Sequence, residues 1–265
     1  MKMQNDEIRS ANRKAMPKFL IAIGICVIVG FTGGFLASWY GLDALTGGLK
    51  GAGAFFGTYI APWAMLAIVI ALPLVCVPIY RSAKRQADTW DGENEEIYAA
   101  VDKKLSLALW ISNVAFILAY FLIAASYSGG FAIFEDKTRT AFFFVAIVCM
   151  FAVIFETIFI GQKCVDTTKR MNPEKEASVY DLKFQKKWFD SCDEAEKIMI
   201  GKCAYKAYTA TSKACSVLAG VLAVCALIFD IGFLPSFSVC FVWIVNQSVY
   251  CKEAMKYNKA GTKIR

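Results

Sequence analysis

The sequence predicts an all-α, polytopic membrane protein: six transmembrane helices in three hairpins, joined by amphipathic cytoplasmic helices. Three observations lead there. Six stretches are apolar over about the length needed to cross a bilayer, which takes roughly 20 mainly apolar residues. Of the 265 residues 57% are hydrophobic and only 19% charged, where an ordinary soluble domain carries roughly 25% charged residues. The basic residues also alternate along the chain. The segments that include both termini hold 26 Lys and Arg, and the intervening ones hold 3. Basic segments stay on the cytoplasmic side during insertion, so both termini are expected inside.

Residues 1–18 form a basic N-terminus with Lys2, Arg9, Arg13, Lys14 and Lys18. The first span, Phe19–Tyr40, is longer than the ~7–15 apolar residues of a signal peptide and lacks a small-x-small cleavage site, so it reads as retained. Gly30 and Gly34 within it have the GxxxG spacing that lets helices approach closely, either in a homo-oligomer or within one chain. The next segment, Gly41–Thr58, is rich in glycine and reads as a flexible or re-entrant outer loop. Span two, Tyr59–Tyr80, completes hairpin one (19–80) and carries Pro62, Pro73 and Pro78, which predict kinks. Trp39, Tyr40, Tyr59 and Trp63 suit an interfacial aromatic belt.

The linker 81–104 contains a helix over Asp91–Lys104, acidic at its start and basic at its end as the helix dipole prefers, running on into span three. Hairpin two (105–160) comprises Leu105–Tyr127 and Ala141–Ile160. The cytoplasmic segment 161–213 is the largest. Asn172-Pro173-Glu174 reads as a helix start. Tyr180, Phe184, Trp188, Cys192, Ala195, Met199 and Cys203 then recur at helical steps. That face is either a docking surface for a membrane or cytoplasmic protein partner (Tyr180, Phe184, Trp188, Met199) or an amphipathic face lying on lipid. Hairpin three (214–250) comprises Ala214–Leu234 and Phe237–Tyr250, and 251–265 is a basic tail. A weak repeat relates Ala87-Asp88-Thr89, with Glu93 and Glu95, to Val165-Asp166-Thr167, with Glu174 and Glu176.

Inside the spans, ionisable groups cost about 2.5–3.5 kcal/mol at the centre and so are functional candidates. Glu156 lies near the cytoplasmic end of span four and Asp230 near the outer end of span five, at opposite faces where they would not pair directly, so they read either as a proton- or cation-coupled site or as groups capped and solvated at the interfaces. Asn113, Asn246 and Gln247 offer interhelical hydrogen bonds, for which packing is the simplest use. The ten cysteines lie in spans or cytoplasmic segments, which predicts reduced, small packing residues rather than disulfides.

With no histidine in the chain, serine–histidine and HExxH chemistry are excluded, and no P-loop appears. No catalytic residue, cofactor or metal site is expected. The charge asymmetry is explained by topology, so anionic lipid headgroups at the cytoplasmic face, not nucleic acid, are the expected partner of the juxtamembrane cations.

The stretch Met171-Asn172-Pro173-Glu174-Lys175, Ser178-Val179-Tyr180-Asp181, Lys183-Phe184-Gln185-Lys186-Lys187-Trp188 and Ser191-Cys192-Asp193-Glu194-Ala195-Glu196-Lys197 resembles a six-span membrane family of Gram-positive bacteria, domain of unknown function 3169. Asp102-Lys103-Lys104-Leu105-Ser106 extends the resemblance towards the N-terminus. It implies a bacterial plasma-membrane protein and brings no activity with it. The expected function is a non-catalytic accessory, regulatory or immunity-type partner; the alternative is a small secondary transporter or channel.

Overall fold

The computed structural model describes Pro17, Leu20, Ile21, Gly24, Ile25, Ile28, Phe31, Thr32 and Phe35, then residues 43–127, 134–175, 178–229 and 232–257. All regular structure among them is helical. The described positions of the first predicted span are helical; its bounds, with Gly30, Gly34, Trp39 and Tyr40, lie outside the described residues. Five helical stretches are long and apolar enough to cross a membrane: Gly51–Asp88, Glu95–Ser126, Lys137–Met171, Glu194–Ala226 and Leu234–Met255.

The glycine-rich segment after the first span differs from its expectation. It is not a loop: α1 covers Asp43–Phe55, a single π-turn follows over Phe56–Ile60, and α2 runs through Ala61–Asp88. Glycine disfavours helix in water by about 1 kcal/mol, but an apolar setting penalises every unpaired backbone group more heavily. The π-turn lies just where Pro62, near the start of α2, would crowd the carbonyl four residues back and has no N–H to offer. Pro73 and Pro78 are accommodated inside an otherwise continuous helix.

The next helix, α3, spans Glu95–Ser126. Asn94 caps it, accepting hydrogen bonds from the N–H groups of Glu96 and Ile97 at 3.0 and 3.1 Å. The expected linker helix therefore begins four residues later than Asp91, whose carboxylate instead closes the turn by accepting from Glu93 and Asn94. Gly92 takes φ +90° there, a conformation that favours glycine. Helix α4, Lys137–Met171, is capped by Asp136 and ends on Lys169 and Arg170, as the dipole prefers. Short α5 covers Phe184–Asp190, α6 Glu194–Phe229 and α7 Leu234–Tyr257.

Two compact units emerge, Gly48–Ile200 and Met1–Gly47 with Gly201–Arg265. In the first, α2, α3 and α4 pack on one another around a seam of mostly small residues. On α2 it runs Ala61, Met65, Leu72, Cys76, Ala83; on α3, Val101, Leu105, Ala108, Ser112, Ala119, Leu122. On α4 it runs Ala146, Cys149, Val153, Ile160, Cys164. Steps of three, four and seven make this a heptad-like seam, and small residues let the helices approach closely. The large apolar side chains point the other way: Leu74, Trp110, Ile117, Val148, Phe151 and Phe155 are exposed. Small inside and large outside suits hydrocarbon surroundings, where burial of apolar groups does not drive association. The nine described cysteines are all free; Cys76, Cys149 and Cys164 are core packing residues, whereas Cys203 and Cys251 are exposed.

The second unit joins α6 and α7 by polar contacts. Tyr208 donates to Gln247 at 2.5 Å, Asn246 and Gln247 donate to Ser212 at 3.2 and 3.3 Å, and Tyr208 stacks on Tyr250 with centroids 4.2 Å apart.

The suggested repeat finds no counterpart in geometry. Asp88 and Thr89 close the end of α2, whereas Asp166 and Thr167 lie within α4, more than a turn before its end. Glu176 lies outside the described residues.

Candidate functional site at the basic end of the first unit

The predicted cytoplasmic segment 161–213 is mostly helix extension: α4 runs on to Met171 and α6 starts at Glu194. Of what remains, 172–175 and 178–193 are described, and Ser178 and Val179 pack back on α4. Gln162 Oε1 accepts from the N–H of Val179 at 2.9 Å and the hydroxyl of Ser178 at 3.1 Å. Beside it Gly161 has no side chain where Val179 packs; a Cβ there would sit 3.9 Å from a Val179 methyl. Asn172 donates to the Tyr98 hydroxyl at 2.6 Å, tying the end of α4 to α3.

Lys175 is the anchor of this connection. Its side chain is only 5% exposed and pairs with Glu196. The ammonium also donates to Cys192 Sγ at 3.3 Å and lies 5.6 Å from the centroid of a Trp188 ring. Burial works against its charge, but the hydrogen bonds to Glu196 and Cys192 outweigh it and hold its pKa above the usual lysine value. A lysine kept protonated is a poor nucleophile or base and serves as a tether. Glu196 also feels the negative charge of Asp102 on α3, so Lys175 offsets a repulsion at the point where α6 begins.

Two sequence expectations change here. Asn172 ends α4 rather than starting the next helix, and Pro173 and Glu174 form a turn. The periodic run from Tyr180 to Cys203 is also not one helix. It breaks at Ser191–Asp193, where Asp193 accepts from the Glu196 N–H at 2.7 Å and donates its own N–H to Glu196 at 3.1 Å. This reciprocal cap starts α6, and its Asp-x-x-Glu spacing is the sequence signal for the break. Tyr180 is therefore an exposed turn residue, Phe184 and Trp188 pair on α5 with centroids 5.7 Å apart, and exposed Met199 belongs to α6. Leu182, fully exposed beside Tyr180, has no place in the predicted face. Asp181 accepts from the ammonium of Lys187 and from the N–H of Lys183 at 2.9 Å, stiffening that turn.

The intramembrane candidates separate. Buried Oε2 of Glu156 and Oγ1 of Thr157 have no hydrogen-bond partner among the described residues. Asn113 is exposed on α3, and Asn246 and Gln247 link α6 to α7 as above. Asp230 lies outside the described residues. Among the described residues no cluster of three metal-ligating side chains gathers.

Fold and site together define a multi-helix chain with spans suited to crossing a membrane and a tethered connection at the basic end of one bundle. The chain belongs to the DUF3169 family, described as a protein of unknown function, whose profile matches residues 14–254. No curated protein and no solved structure matches it.

Proposed function

We propose that this is a non-catalytic accessory or regulatory subunit of the bacterial plasma membrane, an immunity-type role included, with both termini cytoplasmic and a protein partner docked on the connection 172–193. The observation that carries this reading is the combination of tether and display. Lys175, Gln162 and Asn172 fix the connection, while Tyr180 and Leu182 stand exposed on a turn stiffened by Asp181 and Lys187. Rigid display of apolar side chains lowers the ordering cost of binding. The basic balance of alternate segments supports the cytoplasmic placement.

The test is mild-detergent purification from native membranes with mass spectrometry of the co-purifying proteins. A stoichiometric partner lost on combined Tyr180→Ala and Leu182→Glu substitution is the expected result. Recovery of the protein alone, or a partner indifferent to both changes, contradicts it.

Glu156 favours a second reading, a small transporter or channel, because a buried carboxylate oxygen without a partner suits coupling to a proton or cation. That reading requires flux in proteoliposomes that Glu156→Gln abolishes.

A further inference from the structure

Between α2 and α4, at the basic end of the first unit, lies a groove of about 250 Å³ that the docking reading leaves unused. Its walls include Val77 and Tyr80 from α2 and Phe159 and Ile160 from α4. Its rim carries three cations, Arg81 and Lys84 from α2 and Lys163 from α4. Helical spacing makes this arrangement. Val77, Arg81 and Lys84 stand at i, i+4 and i+7 on one face of α2, and Phe159 and Lys163 at i and i+4 on α4. Lys163 lies 5.3 Å from the Phe159 ring centroid, so the change from apolar wall to charged rim takes a single turn.

The change coincides with the ends of the apolar stretches at Tyr80 and Ile160. Among the described residues the rim cations take part in no ion pair. The ion pairs among the described residues are Arg139–Asp136, Arg170–Asp88, Lys175–Glu196 and Lys187–Asp181, and none involves Arg81, Lys84 or Lys163. A ligand that complements the groove must be apolar at one end and anionic at the other. Inorganic phosphate would meet the rim and leave the walls uncovered; a zwitterionic lipid would cover the walls and bring no net charge to the rim.

We propose that this groove binds one anionic phospholipid, its phosphate among Arg81, Lys84 and Lys163 and an acyl chain along Val77 and Phe159. The proposal rests on the reading of the chain as membrane-spanning, since the bilayer supplies the ligand, and basic pockets between spans are suited to such headgroups.

Native mass spectrometry of the full chain in detergent, titrated with phosphatidylglycerol or phosphatidylcholine, tests it. The wild-type protein should retain one phosphatidylglycerol in preference to phosphatidylcholine by about tenfold or more, the scale set by a few cations near a lipid phosphate. Combined Arg81→Gln, Lys84→Gln and Lys163→Gln should erase that preference. Combined Lys202→Gln, Lys206→Gln and Lys213→Gln, which removes equal charge from α6, should keep it. Equal retention of both lipids, equal loss in the two variants, or displacement by millimolar inorganic phosphate overturns the proposal. Carbonate extraction of native membranes separates the two failures. Protein released to the supernatant overturns the membrane reading and this site with it, whereas protein retained without lipid preference overturns the site alone.

Discussion

Lys175 concentrates the chemistry of the connection, because one buried ammonium serves Glu196, Cys192 and the Trp188 ring together. Lys175→Met would leave Glu196 facing Asp102 without its cation. Removing one partner of a buried pair typically costs about 3–5 kcal/mol, and partial exposure of Glu196 reduces that to about half, still roughly tenfold or more in the population of the opened connection. Chymotryptic cleavage between Tyr180 and Phe189 should rise accordingly; an unchanged rate contradicts the tether. The pH dependence follows from two groups. The Lys187 ammonium, with the N–H of Lys183, holds the Asp181 carboxyl below the usual range. Its stabilisation is present above the unfolded value of about 4 and is lost as pH falls through the lower folded value. Lys175 has the opposite sign: its contribution is complete below the unfolded value of about 10.4 and is lost as pH rises through the higher folded one. Scaled at each pH to the cleavage of an unstructured peptide, cleavage of the connection should therefore be flat between about pH 7 and 9, and a rise within that window counts against the assignment.

At the scale of elements, what sequence reading recovered and what it missed divide by the range of the interactions involved. Apolar composition is local, so α3, α4, α6 and α7 each overlap an expected apolar stretch, although α4 ends 11 residues after Ile160 and α6 begins 20 residues before Ala214. The glycine-rich segment reads as a flexible or re-entrant loop by its glycine content, whereas α1 forms over Asp43–Phe55, as an apolar setting that penalises unpaired backbone favours. The amphipathic run through Tyr180 and Cys203 has real periodicity, but the Asp193–Glu196 cap is a stronger local signal and breaks it. The partners of Lys175 and Gln162 were not legible, since nothing in spacing ties residue 162 to 179 or residue 175 to 196. Gln162→Leu should free the 178–182 turn and raise its hydrogen exchange while leaving that of α4 unchanged. Equal exchange in the two proteins would remove Gln162 from the tether. In the seam, Ala108 is fully buried against small neighbours, so Ala108→Leu should destabilise by about 1–3 kcal/mol through overpacking, read as a lower detergent melting temperature. Exposed Trp110→Leu should leave that temperature nearly unchanged, and equal effects would contradict the inside-out packing.

For the whole molecule, the proposed roles require alternating passage of the chain through the bilayer with every strongly basic segment on one side. Five helical stretches have the length and composition for it, and a sixth, at Phe19–Tyr40, is an expectation from the sequence. The tethered connection and the lipid groove have the proposed roles only if they share the cytoplasmic face with the termini. The most direct measurement is a set of paired fusions, to alkaline phosphatase and to green fluorescent protein, ending at residues 18, 42, 92, 130, 178, 232 and 257. Fluorescence without phosphatase activity is expected at 18, 92, 178 and 257, and phosphatase activity without fluorescence at 42, 130 and 232. Phosphatase activity at 178 would place the connection outside the cell and contradict the account at its centre.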